Sequence, residues 1–320
     1  MCDWMGKIED ETPLESVNIP GTHDTATWNY TQEVQDRYLD ITTQGIGPAI
    51  MYQCQDQSIF SALNHGIRAF DLRIGLSPLD NTSIIFYHGS AIMSLEATLE
   101  DVFYGYYKFL DDNPSETIVV SIKVDNTTWG TPEKLESEVY NLIFSEPASS
   151  YFVQLNGSLP TIGEARGKMV LLRRYDDSKL PLNDTKEIGL AVPPNVWLDN
   201  VANFSIEYAS SKFAYIEDYY EIGGPDTVDS YITWKYNATT AHLIYAGQKH
   251  MDSLFITFAS AEKDSESVWP RIIALGNGTA RGVNQRLTPW LKERSGQRRG
   301  LVFLDWWKQV PGLVESVIDL

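Results

Sequence analysis

The sequence predicts an α/β protein folded as an irregular (β/α)8 TIM barrel, and three observations predict it. Eight short apolar runs rich in β-branched and aromatic residues recur from end to end. Most are continuous rather than alternating, as strands buried on both faces of a parallel sheet must be. Helical patterns lie between several of them, in a chain of 320 residues that suits eight repeats of strand and helix.

The runs, in order, are "ESVNIPGTHD", "GIRAFDLRIG", "TSIIFYHGS", "ETIVVSIKVD", "GKMVLLRRY", "KFAYIEDYY", "SLFITFAS" and "GLVFLDWW". From Leu95 the positions Leu95, Leu99, Val102, Phe103, Tyr106, Phe109 and Leu110 keep one helix face, which stops at Asn113-Pro114. Thr131 and Pro132 form an N-cap and first-turn pair ahead of Leu135, Val139, Leu142 and Ile143. Residues 225–246 and 268–293 also read as helical, the latter weakened by Gly276, Gly278 and Gly282. Only "LSPLDNT" (76–82) separates the second run from the third. It is too short for a helix and suits either a hairpin or a fully extended parallel return. No linker, repeat or low-complexity tract interrupts the chain, so one domain over 1–320 is expected, with 176–200 a long excursion.

Composition excludes some functions. Hydrophobic residues make up 43% and rule out disorder, while a net charge of −18 argues against nucleic acid and against bulk attraction to anionic membranes. An anionic ligand must then be held by individual cations. No apolar run approaches the ~18 residues of a membrane span, and the first residues do not read as a secretory signal. Cys2 and Cys54 could pair, but nothing in the sequence requires it. Sequons begin at Asn29, Asn81, Asn126, Asn156, Asn183, Asn203, Asn237 and Asn277. Chance would supply roughly two, so the surplus favours a secreted, glycosylated eukaryotic protein over a cytoplasmic one.

Barrel enzymes carry their chemistry at the carboxyl ends of the strands. Those ends supply His23 and Asp24, Asp71 and Arg73, His88, Lys123, Arg174, Asp218 and Tyr220, and Asp305; the seventh run offers only Thr257 and Ser260. Two imidazoles suit paired general acid and base work, and three cations suit an anion such as a phosphodiester. Carboxylates beside the histidines fix tautomer and raise basicity. A tyrosine beside an aspartate suits a polyhydroxylated ring. His65, His242 and His250 read as structural, and Trp306 and Trp307 as packing.

Together, "IPGTHDTAT", "NHGIRAFDLRIG", "FYHGS", "FLDDNPSETIVVSIK", "GEARGKMVLLRRY", "EDYY" and "LVFLDWW" resemble the secreted bacterial phosphatidylinositol-specific phospholipases C and their fungal relatives, over about 13–307. The resemblance implies an irregular barrel with a parallel return after the second strand. It implies cleavage of phosphatidylinositol to diacylglycerol and inositol 1,2-cyclic phosphate. His23 would be the general base oriented by Asp305, and His88 the general acid supported by Asp24. Arg73, held by Asp71 and close to Lys123, would neutralise the phosphoryl oxygens. Arg174 and Asp218 would bind inositol hydroxyls and Tyr220 would stack on the ring, with Tyr219 a competitor.

Arg73 stands where a calcium-using relative needs a carboxylate, so no metal and no other cofactor is expected. The expected partner is phosphatidylinositol in membranes or micelles, met peripherally by a monomer, with Trp28, Trp129 and Trp234 as interfacial candidates. Two competing readings are an inactive inositol-lipid headgroup binder and a glycerophosphodiester phosphodiesterase. A binder has no use for an acid–base pair. The phosphodiesterase requires an early His-Arg and a glutamate metal site, and neither follows His23.

Overall fold

A computed structural model describes residues 1–42, 45–153, 157–180, 189–223 and 226–319. Its strands are β1 (Ile19–Thr22), β2 (Ala69–Leu76), β3 (Ile84–His88), β4 (Ala91–Thr98), β5 (Ile118–Val124) and β6 (Met169–Arg174). They continue with β7 (Leu190–Ala191), β8 (Val201–Ala209), β9 (Lys212–Asp218), β10 (Leu254–Phe258) and β11 (Leu301–Leu304). The sheet runs β7-β6-β5-β2-β1-β11-β10-β9-β8. Every neighbouring pair from β7 to β9 is parallel, which gives the eight strands of an α/β barrel. β8 pairs antiparallel with β9 at the far end, and among the described residues β7 and β8 do not pair with each other.

Two strand assignments differ from the sequence reading. The run 82–90 is not a parallel barrel strand: β3 pairs antiparallel with β2, as Ile74↔Phe86 and Leu76↔Ile84, and antiparallel with β4. The 76–82 loop is thus a hairpin, because so short a connection reaches an antiparallel neighbour without a crossover. The barrel place goes instead to the two-residue β7, inside the excursion. Gly189, at φ +69, leads into it, and a Cβ there would lie 2.2 Å from the Leu171 carbonyl oxygen.

The expected helices form with shifted ends. Leu95 belongs to β4, and the helix is Leu99–Asp112, capped by Thr98 and Asp101 in reciprocal bonds. Pro132–Phe144 begins behind Thr131, whose side chain accepts from the Lys134 amide. The 225–246 pattern is Val228–Gln248. The 268–293 pattern is two helices, Pro270–Leu275 and Val283–Lys292, parted where Gly276 and Gly278 take positive φ.

The strand interiors and the inner helix faces form one large hydrophobic cluster. β1 packs close against its neighbours because residue 21 is glycine: a Cβ there would come within 2.8 Å of Phe303 and 2.9 Å of Ala69. Cys2 and Cys54 are both free. Of the sequons, Asn29, Asn81, Asn203, Asn237 and Asn277 are exposed, Asn126 is buried, and Asn156 and Asn183 lie outside the described residues. Trp28 and Trp234 are exposed, Trp129 is half-buried, and Trp306 and Trp307 are buried. No described helix is long and apolar enough to cross a membrane.

Candidate active site

Register decides which charges meet. Arg73 of β2 lies opposite Lys123 of β5, and Lys123 opposite Arg174 of β6, so three cations stand in one row. On the other side Thr22 of β1 lies opposite Leu304 of β11, which brings His23 beside Asp305. Asp24 and Trp306, just past these two strand ends, both take left-handed backbone, a strained conformation common at functional turns. The resulting cavity holds about 250 Å³; His23, Arg73, His88, Lys123, Arg174, Asp218 and Tyr220 all line it.

His23 Nδ1 is 2.9 Å from Asp305 Oδ1, and its Nε2 is 2.6 Å from Arg73 Nη2. A guanidinium can only donate, so Nε2 is bare and the ring proton sits on Nδ1, donated to Asp305. Burial first, then Arg73, holds His23 well below the usual imidazole range, so the ring is neutral with its acceptor nitrogen toward the cavity. Burial raises the Asp305 carboxyl, which makes it the more basic acceptor. Gln55 braces the pair by donating to the carbonyls of His23 (2.7 Å) and Leu304 (2.8 Å).

His88 is tuned the opposite way. Its Nδ1 donates to the Tyr52 carbonyl at 2.9 Å and lies 2.9 Å from Asp24 Oδ2, which acts on it through charge. Burial opposes the cation, but the Asp24 carboxylate outweighs it, and the pKa rises to about 8. One imidazole is therefore neutral and the other protonated at neutral pH, the division an acid–base pair needs.

Asp71 organises the cations from below. Its Oδ2 accepts from Arg73 Nε (3.1 Å) and the Asp24 amide (3.2 Å), and its Oδ1 accepts from Arg174 Nη1 (3.1 Å). Burial resists its ionisation, yet Arg73, Arg174 and Lys123 together lower its pKa. Arg174 lies over Trp197, its guanidinium carbon 3.8 Å from the ring centroid, with Asp218 at 3.6 Å. Trp197 donates to Asp218 at 2.7 Å, and Tyr220 donates to Asp199 at 2.9 Å. Tyr219 turns away, its ring 6.3 Å from that of Trp234.

All ten residues expected at the site are present; Asp71, Asp24 and Asp305 are buried beneath it and the other seven line the cavity. Sequence reasoning misses four others. Asp125 sits 2.6 Å from Lys123 and 3.7 Å from Arg73, and accepts from the Gly89 amide. Trp197, Gln55 and Glu262 also go unnoticed; burial raises the Glu262 carboxyl, which lines the cavity near His88. Of the seventh-run candidates, Ser260 lines the cavity while buried Thr257 bonds His242 on the helix side. His65 and His250 bond to Ser61 and Tyr245, away from the cavity.

Two described groups have metal-ligand spacing, His23 with Cys54 and Asp305, and Asp24 with Cys54 and His88. Neither suits a cation. Burial and both carboxylates push the Cys54 thiol well up, leaving it protonated, and Arg73 contacts His23 and Asp24 directly.

Residues 40–175 match the family described as phosphatidylinositol-specific phospholipase C, X domain. A 1-phosphatidylinositol phosphodiesterase of Listeria monocytogenes is 29% identical over 187 residues, 58% of this chain and only 53% of that relative. One from Staphylococcus aureus is 24% identical over 99% of this chain and 93% of its own length. A mouse PI-PLC X domain-containing protein 1 is 23% identical over 64% of this chain and 61% of its own. Among solved structures, a phosphatidylinositol-specific phospholipase C of Staphylococcus aureus superposes with a TM-score of 0.76 at 22% identity, covering 99% of this chain and 96% of that one. The Listeria monocytogenes enzyme gives 0.68 at 24% identity, covering 99% and 97%. The chain thus has, along nearly its whole length, the fold of the bacterial phosphatidylinositol-specific phospholipases C.

Proposed function

We propose that this protein cleaves phosphatidylinositol to diacylglycerol and inositol 1,2-cyclic phosphate without a metal ion. The observation that carries the reading is the opposite tuning of two imidazoles around one arginine. Bound phosphate competes for Arg73 Nη2 and frees His23 Nε2. That nitrogen takes the proton of the inositol 2-hydroxyl as its oxygen forms a bond to phosphorus. The bond from phosphorus to the diacylglycerol oxygen breaks, and His88 delivers its proton there. Arg73, with Lys123 beside it, offsets the charge that builds on the phosphoryl oxygens, as a bound cation would elsewhere. Arg174, Asp218 and Tyr220 hold the inositol, with Trp197 backing Arg174.

We further propose that the protein acts as a monomer at membrane surfaces. Val196 and Leu198 are exposed and flank Trp197 of the cavity wall, which suits shallow contact with lipid. Secretion is supported by the five exposed sequons. A fungal origin rests on the sequons and the sequence resemblance alone, since the relatives reported above are bacterial and murine.

The test is phosphatidylinositol cleavage with chelator present, comparing the parent with His23→Ala and His88→Ala. Each substitution is expected to lower kcat by about 10² or more. Substantial turnover in either variant overturns the mechanism, and headgroup binding without turnover by the parent would favour an inactive binder.

A further inference from the structure

β9 alternates along its length. Asp218 points into the cavity, while Glu217 points outward beneath the helix Val228–Gln248, where it meets Lys235. Both side chains are fully buried. A buried ion pair is seldom the most stable filling for such a space, and an apolar pair of similar volume often serves as well or better.

The contacts indicate another use. Lys235 Nζ donates to Glu217 Oε1 at 2.6 Å and to the Tyr219 carbonyl at 2.8 Å. The Tyr219 amide donates to that same Glu217 Oε1 at 3.0 Å. The pairing of β9 with β10 ends at Glu217↔Thr257, so Tyr219 lies just beyond the last rung. Its N–H and C=O are held by the charge pair instead of a neighbouring strand. Asp218 and Tyr220, the two residues flanking Tyr219, both line the cavity. The Tyr220 amide is held in turn by Asn200 Oδ1 at 3.1 Å, and its carbonyl by the Glu262 amide at 2.8 Å.

We infer that Glu217 and Lys235 are positioning residues that fix the Tyr219 peptide and thereby aim Asp218 and Tyr220 at the inositol ring. This rests on the reading of the cavity as a phosphatidylinositol site. The pair touches neither the ring nor the phosphate and is neutral as a unit, so it acts on headgroup affinity; Lys235 alone exerts only a minor pull on Asp305, weaker than those of burial, Asp24, Arg73 and His88. Asp218 and Tyr220 contact the same hydroxylated ring before and during the reaction. Loss of their aim therefore removes uniform binding, which raises KM and spares kcat.

The experiment compares the parent with Glu217→Leu, Lys235→Met and a control, Glu116→Gln. Glu217→Leu fills the space and removes the acceptor of both contacts. Lys235→Met leaves a lone carboxyl whose pKa burial already lifts to about 7, so it can go neutral. Glu116 belongs to an equally buried pair with Arg68, which holds residues at the start of the chain and touches no cavity segment. Each variant is assayed for kcat and KM on phosphatidylinositol in mixed micelles and for inhibition by free myo-inositol, with near-ultraviolet circular dichroism to establish packing.

In both test variants KM and the myo-inositol inhibition constant are expected to rise together by about tenfold while kcat stays within about twofold. Glu116→Gln is expected to lower Tm and change none of the three. Packed variants with unchanged KM and inhibition overturn the inference. So does a fall in kcat alone, or an equal rise in KM for the control. A parent that neither cleaves phosphatidylinositol nor responds to myo-inositol defeats the functional reading itself and this inference with it, an outcome seen before any variant is made.

Discussion

Asp24→Asn isolates the charge that keeps His88 protonated. Asn preserves the side-chain shape beside Nδ1 but removes the carboxylate 2.9 Å away. What remains around His88 is burial and the positive field of Arg73, which oppose the cation, against only the weaker pull of Asp125, which favours it. The pKa, about 8 in the parent, is therefore expected at or below its ordinary 6.5. That drop of at least 1.5 units corresponds to about 2 kcal/mol of lost preference for the charged ring. At pH 7.5 the protonated fraction falls from about three-quarters to about one-tenth, so a step needing His88 as an acid slows about eightfold from titration alone. The assay is kcat/KM for phosphatidylinositol cleavage from pH 5 to 9 with chelator. The parent should hold its rate up to an alkaline limb near pH 8, and the variant should lose rate from about pH 6.5 upward. Stability follows the same sign. A folded pKa above the unfolded one gives stability that is full below pH 6.5 and lost as pH rises through about 8. The variant's melting temperature should therefore change little over that window. An alkaline limb that stays near pH 8 in a well-folded Asp24→Asn protein refutes the assignment of His88 as the acid tuned by Asp24.

Other consequences are equally direct. Chelator should leave the parent's rate unchanged, whereas Arg73→Asp should abolish it; loss of turnover with chelator, together with rescue of Arg73→Asp by calcium, would reverse the metal-free assignment. Gly189→Ala should destabilise the fold by about 2 kcal/mol or more, read as a lower Tm, because φ is +69 and the new Cβ meets the Leu171 carbonyl. Binding to anionic vesicles should be weak and should improve with added salt, since the chain carries a net charge of −18; a sedimentation series showing binding that declines with salt would reject this.

Much of the site is legible in the sequence because charges inside or at the end of buried apolar runs have few places to go. Asp71 inside "AFDLR" and Asp305 inside "VFLDWW" announce partners by the penalty of burying them alone. Asp125 carries the same signal: it stands two residues after Lys123, on the same strand face, within a run already read as β. Trp197 carries none, since it lies on an aperiodic loop and is defined by what folds back toward Arg174. The direction of the third strand is unreadable for a related reason. Its residues suit any sheet interior, and the length of 76–82 allows either direction until pairing with β4 selects the hairpin. β7 is two residues long, too short for any periodicity, and its place depends on the bare backbone at Gly189. Caps are better guides than patterns: Thr98 and Thr131 fix helix starts through local hydrogen bonds, while apolar spacing alone draws Leu95 into a helix that it precedes.

The ring of strands is split between β7 and β8 among the described residues, and the side chains proposed to hold the headgroup straddle the split. Arg174 reaches in from one flank, Asp218 from the other, and the Trp197 to Asp218 hydrogen bond is a slender bridge across the mouth of the gap. A sugar gripped from both flanks would act as a clasp on an unclosed hoop. Occupancy should then slow amide exchange along β7 and β9 more than along β1 and β2, and raise the melting point by mass action. Part of the affinity for the headgroup would be drawn, in this picture, from tightening the scaffold itself.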